Sequence, residues 1–260
     1  MEHYINSIDP RQYLILERLW RKMRFDSPQL IGLLFAMVEK RGYEDWQAWE
    51  DYYYKSGEKR LKEMRRFSED FRTVLANPFI QDRGKLRWPV YLINYFNGRT
   101  KTEVEQMALS LYRQIESKES DISEAICIEF CRYKVVGEPW NRMQLRFRNT
   151  IDNLSEQQPG LKIRRTSSRF LGQFGCSATV SIGVRQWAGI SIRSSAWLHL
   201  QNLLRIYEDR FQKKIGHFRQ RYNSMSFTFY AQVDGDIVNR GELLKLKRLL
   251  QLYKRLTNDD

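Results

Sequence analysis

The chain has 260 residues, 42% of them apolar and 13% aromatic, which is ample for a buried core and excludes disorder for the bulk of it. No long apolar run and no charged segment leading into an apolar one is found near the start, so neither a membrane span nor a signal peptide is expected. Cys127, Cys131 and Cys176 are odd in number and too few for a disulfide framework, which points to a soluble protein of a reducing compartment, the cytoplasm.

The formal net charge is +13, and it is unevenly placed. Residues 1–131 carry 21 basic and 21 acidic side chains, whereas residues 132–260 carry 23 and 10. From Gln157 to Tyr207 there is no carboxylate, while Lys162, Arg164, Arg165, Arg169, Arg185, Arg193 and Arg205 supply seven cations. A surface selected for solubility mixes signs. A one-signed stretch of this length attracts polyanions, of which nucleic acid is the most abundant in the cytoplasm.

In chain order, Asp9-Pro10 reads as an N-cap and first helical residue, followed by Tyr13, Leu16, Trp20 and Met23 at helical spacing. Ser27-Pro28 opens a second helix with the stripe Ile31, Leu34, Phe35 and Val38, stopped at Gly42. The segment Gly42 to Tyr54 interleaves aromatic and acidic residues. Acids repel phosphate, so Trp46, Trp49 and Tyr53 are read as core rather than as a base-stacking surface. Leu61 to Leu75 gives a further helix that must end before Pro78, and Trp88-Pro89 to Phe96 a short one stopped at Gly98. Thr102 to Glu105 has the form of a capping box, and Asp121 to Glu124 is another helix start.

Gly137 is expected to break that helix, and Pro139 to begin the next. In this last helix Met143, Phe147, Ile151 and Leu154 form one face, with Arg142, Arg146, Asn149 and Asn153 opposite. Arginine pairs with guanine edges and asparagine with adenine edges, so this face has the chemistry to read a major groove. Pro159-Gly160 then turns the chain into Leu161–Arg165, which is expected to form a wing-like hairpin with Ser177–Val184 and to place Lys162, Arg164, Arg165 and Arg169 against phosphates. A second hairpin joins Ala178–Val184 to Gly189–Ile192 through Arg185 and Trp187, with Arg193 just beyond; Trp187 is a candidate for stacking on a base. Trp197 to Phe211 reads as a helix stopped by Gly216, followed by a basic connector, a strand over Ser226–Val233, a turn at Asp234-Gly235 and a leucine-rich helix from Glu242 to Leu256.

The expected fold is α+β and predominantly helical. It comprises a helical partner- or dimer-contact region over 1–98, a winged-helix-like three-helix plus β-hairpin unit over 99–193, and a C-terminal helix-strand-helix segment over 194–260 that packs on 161–193 or forms a dimer interface. No P-loop or dinucleotide fingerprint occurs, and His3, His199 and His217 have no nucleophile tied to them by spacing. Cys127 and Cys131, with Cys176 and a histidine, lack the spacing of a zinc module and are read as buried thiols.

The function expected is therefore that of a non-enzymatic DNA-binding transcriptional regulator, with no cofactor, no metal and no catalytic residue. DNA is preferred over RNA as partner, and a homodimer or protein contact is expected through 1–98 or the C-terminal helix. Two other readings stay open. One is a Mg²⁺-dependent nuclease of restriction type using Asp234, Asp236 and Glu242, or Glu116 and Lys118 with Asp82. The other is an RNA-binding subunit of a ribonucleoprotein assembly.

Overall fold

The computed structural model describes residues 8–23, 25, 45–64, 98–115, 121–159, 161–182, 186–195, 197–200 and 205–258. The helices read over Ser27–Gly42 and Pro89–Phe96, and all but the first four residues of that from Leu61 to Leu75, lie outside the described residues. The protein is α+β and mostly helical, as the sequence predicts, with a small mixed sheet. By its internal contacts the chain divides into two compact units, Met1–Leu34 with Asp45–Asn141 and Phe35–Glu44 with Arg142–Asp260. Contacts cross the boundary read at residue 98: Tyr53 Oη donates to the Gly98 carbonyl at 2.7 Å and Arg99 stacks on Tyr53. The one read at 193 falls inside a strand that pairs along its length.

In the first unit, helix α1 (Pro10–Lys22) starts on a reciprocal cap: Asp9 accepts from the Arg11 N–H at 2.8 Å, and Gln12 accepts from the Asp9 N–H at 3.2 Å. Helix α2 (Trp46–Met64) buries Trp49 and Tyr53 completely, and the Trp49 indole donates to the Val136 carbonyl at 2.9 Å. Trp49, Tyr53 and Tyr54 of the acidic segment are thus core, whereas Trp46 is half-buried against the Trp140 ring, and one of the segment's acids, Glu50, clamps Arg132 through both carboxylate oxygens. Helix α3 (Lys101–Tyr112) is capped by Thr100, two residues earlier than the sequence suggests, because Glu103 accepts from the Arg99 N–H at 2.8 Å and so fixes the turn there. Helix α4 (Glu124–Arg132) is capped by Ser123 and brings Phe130 against Tyr13 and Trp20 of α1.

Gly137 does not break the chain out of helix. Tyr133–Gly137 forms a π-helical turn that leads directly into helix α5 (Glu138–Gln157). A Cβ at Gly137 would come within 2.7 Å of the Tyr133 ring, so the glycine serves close packing in place of a turn.

The second unit is a three-layer arrangement about a four-stranded sheet of order β1-β2-β3-β4, made of β1 (Lys162–Arg165), β2 (Ala178–Ile182), β3 (Gln186–Ser194) and β4 (Ser226–Ala231). β1, β2 and β3 are antiparallel neighbours and β4 runs parallel to β3. The expected β1–β2 pairing forms, but its connection contains a short helix, α6 (Ser168–Phe174). The crossover from β3 to β4 passes through α7 (Trp197–Leu200) and α8 (Arg205–Tyr222), as a parallel pair requires. Gly216 lies inside α8 and does not stop it; burial of Ile215 and Phe218 outweighs the roughly 1 kcal/mol cost of a helical glycine.

Alternation along the strands separates two cores. Val180, Ile190, Ile192, Phe227 and Phe229 face Leu154 of α5 together with Leu246 and Leu250 of helix α9 (Arg240–Asn258). The opposite face packs Cys176 with Phe218 of α8. Asn239 closes the β4 edge, accepting from the Tyr230 N–H at 2.9 Å and donating to the Thr228 carbonyl at 2.7 Å. β1 is left as the other edge.

Candidate nucleic-acid interface

The structure splits the residues singled out for nucleic-acid contact into an exposed group and a committed one. Lys162 and Arg164 project from β1, Arg169 from α6, and all three are exposed. They stay outside because, among the described residues, β1 pairs on one side alone and turns Ile163 inward, leaving alternate side chains to solvent. Arg165 is exposed as well, but it is braced: its guanidinium lies 4.9 Å from the centre of the Phe147 ring and donates to Gln144 Oε1 at 3.0 Å.

The polar face of α5 has a different use. Asn149 Nδ2 donates to the Val233 carbonyl at 2.7 Å, and Asn153 Nδ2 to the Asp234 carbonyl at 3.3 Å. These bonds dock the turn after β4 onto the helix. Arg146 is 2% exposed and Arg142 half-buried. The α5 face is therefore an internal surface of the second unit over Arg146 to Asn153, and its amides are spent on backbone carbonyls.

Arg193, read as a surface contact, is 6% exposed. Its strand position points it into the layer between β3 and α8, where it pairs with Glu208 at 2.7 Å and lies 3.7 Å from the Trp197 ring centre and 4.2 Å from that of Phe211. Burial of a cation is tolerable here because a carboxylate and two aromatic faces replace its water. Trp187 takes its place in β3 opposite Ser181; its side chain, like the whole of Arg185, lies outside the described residues.

A cavity of about 130 Å³ opens at the end of the sheet where β1 and β3 finish and β2 begins. Five cations line it, Arg146, Arg165, Arg193, Arg210 and Lys214, and no acidic residue does. Thr166 and Ser191 also line it, and each has already donated its hydroxyl proton, to the carbonyls of Cys176 and Gly175 at 2.7 and 2.6 Å. Arg210 and Lys214 were not singled out from the sequence. Their signal is an i, i+4 pair beside the buried Ile215, legible once α8 is known to run through Gly216.

Asp234 is exposed in a tight turn and accepts the Asp236 N–H at 3.0 Å; Glu242 is half-buried and pairs with Lys245. Asp82, Glu116, Lys118 and His3 lie outside the described residues. Among the described residues no three of His, Cys, Asp and Glu are grouped so as to hold a metal ion. Burial raises the Cys176 thiol to about 12, the Cys127 thiol to about 11 with Glu124 adding to the effect, and the Cys131 thiol well above its ordinary value, so all three are held as neutral thiols at physiological pH. Among the described residues no helix is long and apolar enough to cross a membrane.

Comparison with known protein families, with curated proteins and with solved structures finds no match. The functional reading accordingly rests on the site itself.

Proposed function

We propose that the protein binds nucleic acid through its second unit, gripping the phosphate backbone along the β1 edge. The observation that carries this reading is the exposure of Lys162, Arg164, Arg165 and Arg169 on one strand and the helix after it, within a stretch that has no carboxylate to compete for them. In this reading the β1–β2 pair takes the part of a wing, and contact is made to phosphates rather than to base edges, since Asn149 and Asn153 bind the Val233–Asp234 turn. Duplex DNA is the preferred partner, in the role of a transcriptional regulator. An exposed Leu244 and Leu252 on α9 leave that helix available to a second copy or a protein partner.

A titration against duplex DNA, single strands and RNA at several salt concentrations tests this. Binding with a steep salt dependence, tightest for the duplex, is expected; salt-independent binding or none overturns the reading.

A further inference from the structure

The cavity at the end of the sheet differs in kind from the exposed cations of β1. It lies outside the carboxyl ends of β1 and β3, beside the crossover that joins β3 to its parallel neighbour β4. In open sheets with parallel strands that is where ligands bind, because strand ends and connections leave a crevice there. Its walls combine Phe147, Leu171 and Ile192 with the cations of α5, β1 and α8.

The charge is one-sided. Arg193 pairs with Glu208, and the lining also holds the exposed Arg165 and Arg210 and, among the described residues, no acid. Thr166 and Ser191 have spent their protons on carbonyls, so the donors that face an anion are guanidinium and ammonium groups. Size limits the rest: about 130 Å³ is close to the roughly 150 Å³ that holds a benzene ring in an apolar protein cavity.

We infer that this cavity binds a small organic anion with a single-ring or short-chain apolar body, a carboxylate or a phosphate monoester, its body against Phe147, Leu171 and Ile192 and its head group on Arg165 and Arg210. The inference does not depend on nucleic-acid binding.

The test is calorimetric titration of the full chain, without nucleic acid, using benzoate, phenyl phosphate, inorganic phosphate and benzyl alcohol as probes. One or both of the first two should bind at least about tenfold tighter than inorganic phosphate, which lacks the body, and than benzyl alcohol, which lacks the charge. The tighter of the two identifies the head group. Arg210→Ala, at an exposed site, should weaken that binding about tenfold with an unchanged melting temperature. Leu171→Trp should fill the cavity and abolish it. Equal binding of inorganic phosphate or benzyl alcohol, no binding by any probe, or indifference to both substitutions overturns the inference. Lys162→Ala with Arg164→Ala should leave anion binding intact, so its loss is read separately from the loss of nucleic-acid affinity.

Discussion

Gly235 sits at φ +90°, where a side chain is strained, and a Cβ there would come within 2.5 Å of the Asn149 backbone. The Asn149 and Asn153 amides reach the same turn, so three residues lock it to α5. Asn149→Ala should therefore lower stability by about 1–2 kcal/mol, read as a reduced urea midpoint at constant slope, while leaving the salt dependence of nucleic-acid binding unchanged. A loss of sequence preference without a loss of stability would return Asn149 to the interface. The sequence shows an arginine and asparagine face on this helix, but it does not show the chain returning to cover that face some 80 residues later. Side-chain chemistry was legible; its partner was not.

At the scale of elements, the β1 cations and the course of α8 each lead to a measurement. Replacing Arg164 and Lys162 by alanine should flatten the slope of log affinity against log salt by about one unit for each phosphate no longer neutralised, equally on all sequences. In α8, Gly216 carries no conformational duty: nothing lies within 4 Å of a Cβ there. Gly216→Ala should raise stability by about 0.5–1 kcal/mol, seen as a higher melting temperature, whereas a decrease would show that the glycine has a packing role. The strands after Pro159, the helix start within Asp121–Glu124 and the turn at Asp234-Gly235 were all readable because each has a local residue signal. The two glycines read as helix stops, Gly137 and Gly216, were not, because a glycine weakens a helix by an amount that buried neighbours such as Tyr133 and Phe218 easily exceed. Parallel pairing of β3 with β4 was hidden for a related reason: the crossover spans two helices and leaves no local turn to read.

Across the whole molecule, the three buried thiols set a limit in alkaline solution. Each keeps its proton in the fold to a higher pH than the ordinary 9.0 of an exposed thiol, so above that value the unfolded chain loses protons that the native one retains. Their contribution is complete below about pH 9 and declines as pH rises toward 11 and 12, where Cys127 and Cys176 titrate in the fold. Melting temperatures should fall across that window, and Cys176→Ala should soften the fall; a flat profile would mean that the thiols reach water. The β1 edge carries a different consequence. Asn239 occupies the free hydrogen-bonding groups at one margin of the sheet, whereas among the described residues the other margin has no such plug and carries Lys162, Arg164 and Arg165, whose charges keep another strand from adding to it. Mutual repulsion between copies guards that margin, and it weakens whenever those charges are screened or neutralised. Concentrated salt, or acetylation of Lys162 combined with removal of the two arginines, should then turn the protein toward strand-to-strand self-association, visible as growth in light scattering; in the salt experiment Arg165→Pro should suppress it, because the Arg165 N–H faces away from β2.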